Sequence, residues 1–303
     1  MNNLLTLLRK HGVEYNTVNR VELDRQHLAE TDLVIGAGGD GTVLSAAHML
    51  DYGTLPLLGV NTDPITDEDR DTKKKTDERR SHGALCLCTA NNMDENLPKV
   101  LYGEIDLSIR TRIQCIVKST FSETKLVPAL NDLLISNPSP AAVGRFRMGF
   151  LVPLDMNINN AATGSRMDEK DTFHYQRYGT VTRFGGISYD TRDSLNIWSS
   201  GMWVCSGTGS TAAMAAAGGK PMELDTKDLQ YYIREHMVEK TPEGEREKAK
   251  DNGYVLDNEQ LFLRWNSQKG TIFIDGSHLT HNLELGDEIL INNKAPPLQI
   301  FLR

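Results

Sequence analysis

The sequence predicts an α/β domain followed by a predominantly β domain. Three observations carry this. Residues 32–50 read as a buried strand, a glycine loop and a helix in direct succession. Two more short apolar runs follow at 54–61 and 84–89, as expected of strands in a parallel, doubly wound sheet. From about residue 93 the pattern changes to two-residue alternation, the mark of half-buried antiparallel strands. A chain of 303 residues has room for both domains.

Taken in order, Leu4, Leu5, Leu7 and Leu8 have helical spacing, and 24–30 is a second short helical candidate. The chain opens on a helix with no strand before it, as it would if an edge strand had been lost. Leu33, Val34 and Ile35 form the first buried strand, and Val43 to Leu50 a helix that Thr42 is expected to cap. Residues 63–83 turn strongly charged and read as a solvated loop whose lysines 73–75 could reach a phosphate. Residues 106–117 read as one strand, with Ile109, Thr111, Ile113, Cys115 and Val117 on one side and Arg110, Arg112 and Gln114 on the other. Further strands are expected at 145–152, 195–206, 271–275 and 288–291. A short helix is expected at 228–237, a loop insertion at 156–193 and a charged connector at 241–257. His278 and His281 read as loop residues after a turn at Asp275-Gly276.

Composition excludes several classes. Hydrophobic residues make up 39% and charged residues 24%, ordinary values for a globular protein. No apolar run approaches the ~18 residues a membrane span needs. A net charge of −8 argues against a nucleic-acid or anionic-membrane partner, whose binding needs basic surface. Cys86, Cys88, Cys115 and Cys205 include no C-x-x-C pair, so reduced, buried thiols are expected. The N-terminus does not read as a secretory signal.

Three segments carry the candidate chemistry. Gly36, Gly38, Gly39 and Gly41 leave backbone N–H groups uncovered at a helix N-terminus, which favours phosphate. Asp40 within that loop would repel phosphate, and makes more sense as a metal ligand or as a base for an attacking hydroxyl. Asn131 and Asp132 interrupt an apolar strand, and either satisfy a turn or read an adenine edge and ribose hydroxyls. Cys205 to Gly219 is a run of small residues that would let a ligand approach the backbone; its Ala-rich part could supply a second helix N-terminus. Arg145 is a lesser candidate for a phosphate. The three segments together suggest phosphoryl transfer onto a nucleotide hydroxyl.

Gly38-Gly39-Asp40-Gly41-Thr42, Asn131-Asp132 and Thr208-Gly209-Ser210-Thr211-Ala212, in that order, resemble the NAD kinase family. The similarity extends over residues 59–64, 81–86, 136–146, 200–202, 271–276 and 285–287, and is greatest to the plant-type NADH kinase branch. It implies a Rossmann- or phosphofructokinase-like α/β domain over 1–92, a mainly antiparallel β-sandwich over 93–285 that binds NAD(H), and a tail, 286–303, returning to the first domain. It implies transfer of phosphate from ATP, with Mg²⁺ or another divalent cation, to the 2′-hydroxyl of the adenosine ribose of NAD⁺ or NADH. Asp40 would be the general base. Asn131 and Asp132 would hold the adenosine, and Gly209 to Ala212 would line the same pocket; Gly38, Gly39, Gly41, Thr42, Asn61, Arg145, Thr208, Ala213 and Ala216 complete the candidate set. No residue is assigned to a metal. A homodimer or homotetramer is implied. A cytoplasmic place is expected, or an organelle if a targeting segment has been trimmed; Phe301-Leu302-Arg303 is not a Ser-Lys-Leu-type ending. Most members carry Tyr and Ser where this chain has Ala213 and Ala216, which leaves substrate preference open. The competing readings are a diacylglycerol-type lipid kinase and a catalytically weak dinucleotide-binding regulatory protein.

Overall fold

The computed structural model describes residues 1–50, 52–64, 81–154 and 181–302. The chain divides into two compact units, Met1–Arg110 with Pro296–Arg303, and Thr111–Ala295. The expected boundaries at 92 and 285 thus differ from this division: the helix Met93–Leu101 belongs to the first unit, and the returning tail begins at Pro296.

The first unit is built on a five-stranded sheet of β1 (Val34–Ala37), β2 (Leu57–Asn61), β3 (Cys88–Thr89), β4 (Ser108–Arg110) and β18 (Leu298–Phe301). β2 is buried along its whole length and runs parallel to β1, β3 and β18. This agrees with its unbroken apolar sequence, since a strand covered on both faces has no polar side. The helix Asn2–Lys10 buries Leu4, Leu7 and Leu8 against Leu58, Val60 and Phe301. The expected strand at 84–89 shrinks to Cys88–Thr89, because Leu85 and Cys86 belong to a turn.

The second unit holds two antiparallel sheets. One, in the order β6-β5-β17-β14-β8-β10-β9, contains β5 (Gln114–Lys118), β6 (Glu123–Lys125), β8 (Gly144–Pro153), β9 (Thr182–Phe184), β10 (Ile187–Ser199), β14 (Leu261–Trp265) and β17 (Glu288–Asn292). The other, in the order β13-β12-β11-β7-β15-β16, contains β7 (Asp132–Ser136), β11 (Gly201–Cys205), β12 (Leu229–Arg234), β13 (Asn252–Val255), β15 (Lys269–Ile274) and β16 (Leu279–Glu284). Their inward residues form one core, with Ile113, Phe146, Met148, Ile197 and Trp265 from the first sheet side and Leu133, Ile135, Met202, Val204 and Ile272 from the second. This is sandwich packing, in which alternate residues of each strand point inward. All four cysteines are buried and free.

Several expectations are corrected. Residues 106–117 are two strands, not one: β4 lies in the first unit and β5 in the second. The alternation fails where the chain passes between units, with Ile109 exposed and Arg110 and Arg112 buried. Residues 195–206 are likewise split, between β10 and β11, at Gly201. The residues 228–237 form strand β12, not a helix, because Leu229, Tyr231 and Ile233 alternate inward. The connector at 241–257 contains the helix Pro242–Lys248, capped by the Thr241 hydroxyl, and β13. The expected insertion at 156–193 ends in β9 and the start of β10, and His281 lies on β16. Residues 65–80 of the charged stretch, with lysines 73–75, and residues 156–180 lie outside the described residues.

Candidate active site

In the first unit the site is the turn from β1 into the helix Asp40–Met49. That helix starts earlier than expected: Gly39 is its N-cap and Thr42 is already inside the first turn, so Thr42 is not the cap. Asp40 is the first helical residue, where a negative charge is favoured by the helix dipole. Its carboxylate is tightly held. Oδ2 accepts the Ser81 hydroxyl at 2.6 Å and the Gly83 N–H at 3.0 Å; Oδ1 accepts the Leu85 N–H at 2.7 Å. A carboxylate offers about four lone-pair directions. Three are engaged by these donors, and one on Oδ1 is left.

The glycines here are explained by space. A Cβ on Gly38 would sit 2.3 Å from the Thr42 hydroxyl, and one on Gly39 would sit 2.5 Å from the Ser81 Cβ. Gly83 has φ +73° and packs on the Asn61 amide. Asn61 itself is buried; its Nδ2 donates to the Ser81 carbonyl and its Oδ1 accepts from the Asp63 N–H, both at 3.1 Å. Asn61 therefore supports the segment that holds Asp40. Gly41 is the exception. It is exposed, and a Cβ there would meet nothing within 4 Å. Behind the loop, burial pushes the Cys86 thiol up to about 12, with the Asp40 and Cys88 charges adding to it.

In the second unit the site gathers around the start of β7. Gly209 packs so closely on Asn131 that a Cβ would fall 2.0 Å from the Asn131 carbonyl oxygen. The Ser206 N–H donates to that same oxygen at 2.9 Å. Asp132 is buried, and its acid group is pushed up to about 7, first by burial and then by the nearby Asp275 charge. Among the described residues, neither the Asn131 amide nor the Asp132 carboxylate has a hydrogen-bond partner.

The small-residue segment is folded differently from expectation. Thr208–Thr211 is a 3₁₀ turn and Ala213–Ala217 a helix of only five residues with no side-chain cap, so no second phosphate-binding helix end forms. Ser210 points inward, donating to the Gly207 carbonyl at 2.8 Å and accepting from the Met222 N–H at 2.9 Å. Thr211, Ala212 and Ala216 are exposed, and the Thr208 hydroxyl is buried without a hydrogen-bond partner among the described residues. Ala213 and Ala216 line a cavity of about 670 Å³ together with Trp203, Tyr232, Arg234 and His236. His236 is held there by Asp251, Nδ1 to Oδ1 2.6 Å.

The structure therefore brings Gly38, Gly39, Asp40, Thr42 and Asn61 together in one unit, and Asn131, Asp132, Thr208 and Gly209 together in the other. Arg145 is not among them. It lies on β8 of the other sheet, exposed, with its guanidinium carbon 4.1 Å from the centre of the Trp198 ring. Sequence reasoning missed the roles of Ser81, Gly83, Leu85 and Asp275. A Ser-x-Gly-x-Leu run beside a charged stretch and an Asp-Gly turn were visible, but neither spacing says what a distant carboxylate or backbone will meet.

A carboxylate held inside a glycine loop at a helix N-terminus suits a phosphotransferase. Comparison with known proteins gives the family. A model of the ATP-NAD kinase N-terminal domain matches residues 6–64. The NADH kinase of Arabidopsis thaliana is 34% identical over 297 residues, 98% of this chain and 80% of that protein. A probable NADH kinase of Oryza sativa subsp. japonica is 32% identical over 298 residues, 98% of this chain and 78% of that protein. The chain belongs to the NAD kinase family, the phosphotransferases that convert NAD(H) to NADP(H). Among solved structures, an Archaeoglobus fulgidus NAD kinase in complex with ATP shares the fold, with TM-score 0.63, 17% identity, and 99% of this chain and 88% of that one covered. Yeast NADH kinase complexed with NADH does so with TM-score 0.61 and 15% identity; the match spans 90% of this chain and 62% of that one.

Proposed function

We propose that Asp40 is the general base that takes the proton from the 2′-hydroxyl of the adenosine ribose of NAD(H), and that ATP is the phosphate donor. The observation that carries this is the hydrogen bonding of the Asp40 carboxylate: fixed by Ser81, Gly83 and Leu85, it keeps one lone pair on Oδ1 for a hydroxyl proton. Fixing the base in advance lowers the entropic cost of reaching the transition state. Gly41 leaves the helix N-terminus bare, so donor phosphate oxygens can approach its backbone and meet the positive end of the dipole. Asn131 and Asp132 read the adenine edge and the ribose hydroxyls, and the exposed edge at Thr211 and Ala212 lies along the nucleotide.

Among the described residues, no group of three His, Cys, Asp or Glu side chains is placed to hold a metal ion. In this reading Mg²⁺ arrives on the phosphates of ATP, where it needs few protein ligands. A lipid kinase gives Asn131 and Asp132 no task and is not favoured. Both plant relatives are named NADH kinases, which supports NADH as an acceptor. Among the described residues no helix is long and apolar enough to cross a membrane. Mammalian relatives, 28% identical, are named as mitochondrial, so an organelle is a second home to test beside the cytoplasm. Assembly as a homodimer or homotetramer belongs to the same reading.

The test is one assay. ATP–Mg²⁺ is supplied with NAD⁺ or NADH, and NADP⁺ and NADPH are scored separately for the wild type and for Asp40→Asn. Formation of either product by the wild type and its loss in the variant support the reading. Binding of NADH without ATP consumption would instead favour a regulatory module.

A further inference from the structure

We infer that Asp275 is a positioning residue for the acceptor: its carboxylate sets the backbone of Leu130–Asp132 so that the Asn131 and Asp132 side chains are free to face the dinucleotide. This rests on the acceptor role proposed above for those two residues.

Three successive backbone N–H groups converge on this one side chain. Leu130 donates to Oδ2 at 2.7 Å, and Asn131 and Asp132 donate to Oδ1 at 2.7 and 2.9 Å. The Asp275 N–H donates in return to the Asp132 carbonyl at 3.0 Å. Such a run of N–H groups makes a concave anion-binding arrangement, and here the anion comes from the chain itself. Asp275 sits just past the end of β15, is 7% exposed, and has φ +50°. A non-glycine residue in the left-handed region carries strain, and the three charge-assisted hydrogen bonds offset it.

The sequence left two roles open for Asn131 and Asp132, to satisfy a turn or to read a ligand. Asp275 takes the first role, so their side chains keep the second. Among the described residues, two titratable groups face Asp132: Asp275 and, directly across on β11, Cys205. Burial and the Asp132 charge hold the Cys205 thiol protonated near neutrality, pushing it up to about 12. Asp275 is then the charged neighbour that bears on the proton of Asp132, as well as the clamp on its backbone.

The experiment compares Asp275→Asn and Asp275→Ala with wild type, measuring KM for NAD(H), KM for ATP and the pH dependence of the acceptor KM. Loss of hydrogen bonds to a charged group predicts an acceptor KM raised about 10- to 100-fold in Asp275→Ala, with KM for ATP unchanged within about twofold. Asp275→Asn retains one oxygen for the Asn131 and Asp132 N–H groups and is expected to recover part of the loss. Removing its charge also moves the pH at which the acceptor KM rises to a lower value. If Asp275→Ala fails to fold, Asp275→Asn, with its melting temperature recorded, decides alone. Equal rises in both KM values, or an Asn variant with a wild-type acceptor KM and pH profile, overturn the inference. Asn131→Ala and Asp132→Ala run in parallel separate the two failures. If they leave the acceptor KM unchanged, the acceptor reading fails and the inference falls with it; if they raise it while Asp275→Asn does not, only the inference fails.

Discussion

Ser81 and Asp40 hold each other from both sides: the Ser81 hydroxyl donates to Asp40 Oδ2 at 2.6 Å, and Ser81 Oγ accepts the Asp40 backbone N–H at 2.9 Å. One hydroxyl thus ties the carboxylate to the first turn of its own helix. Ser81→Ala removes both bonds and leaves Gly83 and Leu85 as the remaining donors. Hydrogen bonds to charged groups contribute about 1.5–3 kcal/mol. The expected result is a kcat lowered about 10- to 100-fold, with KM for NAD(H) within about twofold of wild type. Steady-state kinetics check it, and a wild-type kcat would remove Ser81 from the account.

Asp40→Asn tests the base itself. The amide would place an NH₂ group against a backbone donor, Gly83 or Leu85, whichever way it is turned, so some loss of stability accompanies the chemistry. Loss of a general base predicts turnover lower by about 10²–10⁴. Near-normal turnover in a folded Asp40→Asn protein would sink the assignment of the base.

How much of this was legible in the sequence depends on the range of the interaction. The β1–loop–helix unit was read from residues 33–50 because strand, glycines and helix are contiguous. Only its cap was misplaced: Gly39, not Thr42, opens the helix, since the Asp40 N–H already finds Ser81. The Asn131-Asp132 pair stood out as polar residues in an apolar run. Ser81 and Asp275 did not, because their partners lie 41 and about 144 residues away in sequence. Residues 229–234 are a strand where a helix is expected at 228–237, and Leu229, Tyr231 and Ile233 alternate into the core. No periodicity reveals that a run such as 195–206 changes sheet partway.

Gly201 is where that change occurs. It has φ +142°, and a Cβ would lie 2.7 Å from the Ile135 carbonyl oxygen and 2.9 Å from the Ser136 Cβ. It lets β10 end at Ser199 in the seven-stranded sheet and β11 begin in the six-stranded one with only Ser200 between them. Gly201→Ala meets both the strained backbone and the clash, each of about 1–3 kcal/mol. A lower midpoint of denaturant unfolding with an unchanged slope is expected. A midpoint equal to wild type would show that the crossing has slack.

Asp132 offers a pH test in which stability and function move in opposite directions. Its folded acid group is raised from 3.8 to about 7, by burial first and by Asp275 second. Between those two values the native state holds more protons than the unfolded one, so stability falls as pH rises through this window and levels off above it. Asp132→Asn has no proton to lose. Its melting temperature relative to wild type should therefore climb from about pH 4 to about pH 7 and then stay flat. The acceptor KM of the wild type should run the other way. As pH falls below about 7, Asp132 gains a proton and turns from a pure acceptor into a donor, which weakens its grip on ribose hydroxyls. The variant should bind NAD(H) poorly at every pH while melting higher at pH 8 than the wild type, the trade expected where a binding group is kept at a cost in stability. Thermal melts and acceptor KM values for both proteins across this range check it. A melting difference that does not vary with pH would show that Asp132 is ionised throughout.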